Sequence, residues 1–201
     1  MPARPDIPAD FERMLDEMIA FPERQKKISA RIHAEYGRRM AVLVLDMCGF
    51  TQTTQTHGIV AFLLMIHRMR RVCDRVFPGY EGEFVEANAD NLLYLFPTPG
   101  EAIAACRAVH ACLREMNEIL PDDERLDCAI GIGWGDILCI APGHIHGNEV
   151  NLAGKLGEDV AKSGQILITD AARADVPGEV RTREGSARIA CVEIRYHEVM
   201  D

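Results

Sequence analysis

The chain has 201 residues, 48% of them hydrophobic and 26% charged, which suits one globular domain with a short appendage and leaves too little for two full cores. A net charge of −9 with only 6% aromatic residues argues against a nucleic-acid binder, which needs clustered Lys and Arg or stacking rings. It does not argue against a phosphate ligand whose charge is met by metal ions. No stretch approaches the roughly 18 to 20 apolar residues of a membrane span. Met1 to Asp10 lacks a basic-then-apolar leader pattern, so a cytoplasmic location is expected. The seven cysteines are odd in number, have no CxxC spacing and sit partly in apolar runs, which predicts buried thiols in preference to disulfides or a zinc site.

Residues 9 to about 39 read as helix. Phe11, Met14, Leu15 and Met18 recur at helical spacing, Pro22 interrupts, and Ile28, Ile32 and Tyr36 resume the pattern. The segment 1–39 is therefore set apart from a domain at 40–201. It is expected either to pack as an appendage or to serve as a dimerising or signal-relaying helix for a regulatory partner.

From Met40 the pattern changes. Ala41 to Leu45 is a continuous apolar run, as in a strand buried on both faces, and Asp46 ends it. A long helix follows, with Ile59, Phe62, Leu63, Ile66, Met69, Val72, Cys73 and Val76 on its predicted inner face, stopped at Pro78-Gly79. Two short strands near 83–87 and 92–96 flank a tight turn at Ala89-Asp90. A helix is predicted over about 100–120. A strand at 128–134, a turn at Gly135-Asp136 and a strand at 137–140 complete the order. The succession β-α-β-β-α-β predicts an α+β, ferredoxin-like fold with an N-terminal helical extension.

In that fold the first and third strands are neighbours, so Asp46 and Asp90 can converge. Two converging carboxylates repel each other unless they hold a cation such as Mg²⁺ or Mn²⁺; alternatively each simply caps a turn. The residues around them add a resemblance. Asp46-Met47-Cys48-Gly49-Phe50-Thr51, Ala89-Asp90-Asn91-Leu92-Leu93, Gly147-Asn148-Glu149-Val150-Asn151-Leu152-Ala153-Gly154-Lys155-Leu156 and Ser163-Gly164-Gln165-Ile166-Leu167-Ile168 resemble, in order and spacing, the motifs of the class III adenylyl and guanylyl cyclase catalytic domain. The likeness covers roughly residues 40 to 175.

That resemblance implies a homodimeric enzyme. The 3′-hydroxyl of a nucleoside triphosphate attacks its own α-phosphate, with two divalent ions (Mg²⁺ or Mn²⁺) at Asp46, Met47 and Asp90. It implies that Cys48, Gly49, Phe50 and Thr51 cradle phosphates, that Asn151 orients the ribose and that Lys155 opposes charge on the α-phosphate. The metal aspartates would come from one chain, and Asn151 and Lys155 from the other. Lys155 stands where the family usually has Arg, which keeps the charge but loses the planar fork. A terminal-phosphate lysine is not found between Val180 and Tyr196.

By resemblance, Glu86 and His144 read the base. An ionised glutamate accepts and a histidine can donate, a pairing that suits guanine or uracil better than adenine. GTP is slightly favoured over ATP, with UTP as a further candidate. His144 and His146 are expected in a loop near the base. The alternative function is a catalytically silent cyclase-fold module for nucleotide binding or dimerisation; a ferredoxin-like nucleic-acid binder has little support.

Overall fold

The computed structural model describes residues 7–189 and 192–200; the side chains of 50–56 and 192 lie outside that description, as do residues 1–6, 190, 191 and 201. Two helices open the chain, α1 (Ala9–Ala20) and α2 (Gln25–Tyr36), separated by a single 3₁₀ turn at Pro22–Arg24. Pro22 lacks the N–H an uninterrupted helix would need, and its ring starts the turn. Then come β1 (Gly37–Met47), α3 (Phe50–Val76), β2 (Glu83–Asn88), β3 (Asn91–Phe96), α4 (Pro99–Asn117) and β4 (Cys128–Ala141). The chain continues through β5 (His144–His146), α5 (Asn148–Lys155), a π-helical turn at Leu156–Val160, β6 (Ile166–Thr169), α6 (Asp170–Asp175), β7 (Thr182–Ile189) and β8 (Val192–Val199).

The strands form one eight-stranded sheet in the order β2-β3-β1-β4-β6-β8-β7, with β5 paired to β4. Its first four members, β2-β3-β1-β4, are antiparallel throughout. They are the ferredoxin-like unit, and β6, β8 and β7 extend it.

Side-chain alternation divides the two faces of this sheet. Ala41, Leu43, Leu45 and Met47 of β1, Leu92, Tyr94 and Phe96 of β3, and Cys128, Ile130, Ile132 and Trp134 of β4 point to a large core shared with α3 and α4. Met40, Val42 and Val44 point the other way, into a small cluster with Leu93, Leu95, Ile137 and Ala153. Asp46 is next in that second row. A smaller cluster joins Phe11, Met14, Ile28 and Ile32 of the N-terminal helices to Ile140, with Leu138 packed against it.

Several local expectations change. β4 runs unbroken through Gly135-Asp136, because β1 starts at Gly37, earlier than its apolar run, and pairs with β4 out to Leu138. On α3 the inner face carries Phe62, Met65, Met69, Val72 and Cys73, whereas Ile59 is 56% and Leu63 55% exposed. The buried row runs through Phe62, Met65, Met69, Val72 and Cys73, and at 3.6 residues per turn Ile59 and Leu63 fall beside that row; the break at Gly58, with φ of 80° and ψ of 173°, precedes all of them. Six of the cysteines are free thiols, with Cys73, Cys106 and Cys128 buried. Cys191 lies outside the described residues. Among the described residues no helix is long and apolar enough to cross a membrane.

Candidate functional site

The candidate site lies on the sheet face that α3 and α4 do not cover. Asp46 ends the row Met40, Val42, Val44 and pairs in register with Asn91 of β3. Asp90 occupies the β2–β3 turn, whose carbonyl accepts the Met47 N–H at 3.4 Å. The turn is tight because Ala89 takes a left-handed φ of 52°, a conformation that costs a residue bearing a Cβ. The two aspartates are thereby held at neighbouring strand ends.

Their proximity has an electrostatic signature. Burial first, and then the charges of Asp90 and Glu158, push the Asp46 carboxyl up to about 6. Glu158 is itself raised, by burial first and then by Asp159 and Asp90, while Lys155 pulls it down. Three carboxylates thus share this corner. Glu158 had no sequence signal: it lies in the π-helical turn after α5, where helical spacing no longer says which way a residue points. Asn91 Nδ2 donates to Glu158 Oε1 at 2.9 Å, tying that turn to the hairpin of Asp90.

Met47 is buried in the main core. Only its main chain is therefore available to a ligand on the opposite face. Cys48 follows, half-buried, its N–H donating to the Asp127 carbonyl at 3.0 Å. Burial, then Asp127 and Asp46, raise the Cys48 thiol above its ordinary range, so it is a neutral group. Gly49 has φ of 91° at the N-cap of α3, a conformation glycine adopts freely. The chain turns there so that the first N–H groups of the helix are left without intrahelical acceptors. The side chains of Phe50 and Thr51 lie outside the described residues.

Glu86 of β2 reaches the turn that precedes β5, where a Cβ placed on Gly143 would be 3.8 Å from Glu86 Oε2. His144 is next to that turn in the chain, but Ile145 packs on the face of Leu93, so His144 alternates to the other face of β5. His144 and His146 are strand residues, not loop residues, because β5 folds back on β4 with Leu138 opposite His146 and Ala141 opposite His144. A cleft of about 160 Å³ runs past Glu86, Asn88, Asn91, Val150, Gly154 and Glu158. A second, of about 320 Å³, is bounded by Glu83, Val85, Leu95, Cys139 and Gly143. At its rim Arg38 donates two 2.7 Å bonds to Glu83.

Asn151 and Lys155 are one helical turn apart on α5, Asn151 exposed and Lys155 half-buried. Within one chain no hydrogen bond or ion pair joins either to Asp46 or Asp90. α5 lies flat on β4 because Gly131, Gly133 and Gly135 offer no side chains. A Cβ on Gly131 would collide with the Ala153 carbonyl, and one on Gly133 with that of Glu149.

Among the described residues no group of three or more histidine, cysteine, aspartate or glutamate side chains is arranged to hold a metal. Two carboxylates plus a main-chain oxygen nevertheless suit Mg²⁺ or Mn²⁺ in a nucleotide site. Such ions commonly take one or two carboxylates and complete their shell with substrate phosphates and water. The raised Asp46 carboxyl fits the same donor set, since a cation offsets the repulsion that raises it.

No protein-family model matches the chain. A Rhizobium meliloti (strain 1021) protein named "Putative adenylate cyclase 3" is 24% identical over 162 residues, which is 81% of this chain and 26% of that protein. The chain thus spans about a quarter of that relative's length. Among solved structures, the guanylyl cyclase Cya2 superposes with a TM-score of 0.70 at 21% identity, over 81% of this chain and 92% of that one. An adenylate/guanylate cyclase/hydrolase from Silicibacter pomeroyi gives 0.69 at 23% identity, over 82% and 98%. The ferredoxin-like sheet described above is therefore the fold these cyclase structures share.

Proposed function

From the premise that the chain has the class III cyclase-domain fold, we propose that it is a nucleotidyl cyclase. It converts a nucleoside triphosphate into a 3′,5′-cyclic mononucleotide and pyrophosphate, at sites shared between two copies of the chain. The observation that carries this reading is the convergence of Asp46 and Asp90 on the uncovered sheet face, beside the cleft that Glu86 lines.

Asp46, Asp90 and the Met47 carbonyl would hold the divalent cations, with the hard carbonyl oxygen as donor there, since a thioether is too soft. When bound, the ions supply charge stabilisation to the triphosphate and lower the pKa of the 3′-hydroxyl. The free N–H groups at the start of α3 donate to phosphate oxygens. Asn151 of the second copy fixes the ribose so that O3′ lies in line with the α-phosphorus. Lys155 opposes the charge that grows on the α-phosphate oxygens as the bond to the β-phosphate oxygen breaks. The O3′–P bond forms, pyrophosphate leaves, and the hydroxyl proton passes to solvent.

Support for the division of labour is that neither Asn151 nor Lys155 is bonded to the Asp46 or Asp90 of its own chain, and a C₂ dimer would carry two equivalent sites. Glu86 accepts from N1–H and N2–H of guanine while His144 donates to O6, so GTP is the favoured substrate. Helices α1 and α2, which pack on Leu138 and Ile140 at the root of the His144 strand, are proposed to relay a regulatory partner's signal.

The test is incubation of purified dimer with ATP, GTP, UTP and CTP plus Mn²⁺, read by mass spectrometry. Cyclic GMP as the main product is expected. Cyclic AMP as the main product would overturn the roles of Glu86 and His144. No product from any of the four would overturn the cyclase reading in favour of a silent nucleotide-binding module.

A further inference from the structure

One carboxylate on α5 has no part in the reaction above yet makes the best-defined side-chain contacts of that helix. Glu149 Oε2 accepts from the backbone N–H of Trp134 at 3.0 Å and from the Thr169 hydroxyl at 2.7 Å. Its other oxygen accepts from Asn148 Nδ2 at 3.4 Å.

Each donor has a reason to need it. β6 pairs with β4 only from Ile130 to Ile132, so the Trp134 N–H projects past the end of β6 with no strand acceptor. Thr169 is 3% exposed, and its hydroxyl oxygen is already taken by the Ala172 N–H at 3.2 Å, capping α6. Its proton must then go elsewhere, because a buried donor left unpaired is costly. One carboxylate oxygen satisfies both, and so fastens the first turn of α5 to β4, β6 and α6 at one point.

The position of that point matters. Glu149 is two residues before Asn151 and follows the corner at Gly147 that joins α5 to β5, where His144 sits. The glycines at 131, 133 and 135 make β4 a smooth surface for the helix. Smoothness sets the height of α5 above the sheet but does little to stop it sliding or turning. A directional bond at the N-terminal end does stop it.

We propose that Glu149 is the positioning residue for the Asn151–Lys155 half of the site, holding α5 in the register and rotation that present both side chains to the second copy. This rests on the shared-site cyclase reading, and the experiment keeps the two apart. A displacement of the order of 1 Å in a reacting group can cost about a hundredfold in rate. Glu149→Ala should therefore lower kcat by about tenfold to a hundredfold, with a smaller change in KM. Glu149→Gln, whose amide oxygen can accept both bonds, should restore most of the rate.

Mixed dimers decide which half is affected. Co-expressed Asp46→Ala and Asn151→Ala chains form dimers with one intact site. They should recover roughly a quarter of wild-type activity, since half the dimers are mixed and each has one good site. That control tests the cyclase reading itself, and its failure would sink the reading before Glu149 is considered.

With the control positive, Glu149→Ala mixed with Asp46→Ala should also recover about a quarter of wild-type activity. Glu149→Ala mixed with Asn151→Ala should recover none beyond that of Glu149→Ala alone. Recovery with Asn151→Ala in place of Asp46→Ala would assign Glu149 to the metal half and overturn the proposal. So would a Glu149→Ala homodimer as fast as wild type, or a failure of Glu149→Gln to exceed Glu149→Ala.

Discussion

The two faces of the central sheet are built from the same strands by opposite rules. The face under α3 and α4 is filled with large apolar side chains, among them Leu43, Leu45, Tyr94, Phe96, Ile130 and Ile132, all at or near zero exposure. The other face alternates with it residue for residue, and beside a smaller apolar cluster around Val42, Val44 and Leu95 it carries small and polar groups: Gly131, Gly133 and Gly135 on β4, Asp46 on β1 and Glu86 on β2. The packed face fixes the antiparallel strands from one side. The open face can then hold repelling carboxylates without the sheet deforming, because its backbone is fixed from behind.

Four substitutions would break or sharpen that contrast. The largest effect is expected from Asp46→Ala, which should cut cyclic nucleotide formation with Mn²⁺ by about a thousandfold while leaving the thermal midpoint undiminished. Loss of folding with loss of activity would mean that the open face is structural after all. On the packed face, Leu43→Ala should cost about 3 kcal/mol in urea unfolding, the usual penalty for a cavity in a sealed core. A cost under about 1 kcal/mol would show that this face is not the rigid backing inferred for it.

Third is the pH dependence of the open face. Asp46 is held near 6, above its ordinary value, so the folded chain retains a proton that the unfolded chain has released. Stability from this group is therefore present below about pH 4, falls as pH rises toward 6, and is fully lost above that. Asp46→Asn should raise stability at pH 7.5 by about 1 kcal/mol, allowing for solvent screening of a half-exposed group, and leave it unchanged at pH 3.5. Equal effects at both pH values would exclude the carboxylate as the cause. The smallest effect should come from Ala89→Gly. Removing the Cβ at φ 52° should stabilise the β2–β3 turn by about 0.5 to 1 kcal/mol, measured by the same unfolding series.

Much of this was legible in the chain. Ala41 to Leu45 announced a strand buried on both faces, and the β-α-β-β-α-β order placed it next to β3. The same order let Asp46 and Asp90 converge at neighbouring strand ends, with simple turn capping as the alternative. Illegible were choices that packing made. The apolar spacing of α3 fitted two overlapping rows, and contact with the sheet chose the one through Phe62, Met65 and Met69, leaving Ile59 and Leu63 outward. The π-helical turn after α5 placed Glu158 near Asp90, where helical spacing gives no guide. Glu149 was hidden for another reason: its partners are a main-chain N–H of β4 and a hydroxyl of β6, and sequence spacing cannot register a contact with a backbone group 15 residues away.

The sequence by itself determined the elements and their alternation, because hydrophobic periodicity is a local property that each segment carries with it. The tertiary structure alone decided which carboxylates share a corner and which helix end is fastened to which strand. Those depend on where β6 stops along β4, on the π-helical turn that follows α5, and on how closely α5 can settle on a glycine-lined strand. These are distances between segments far apart in the chain, and no local pattern encodes them.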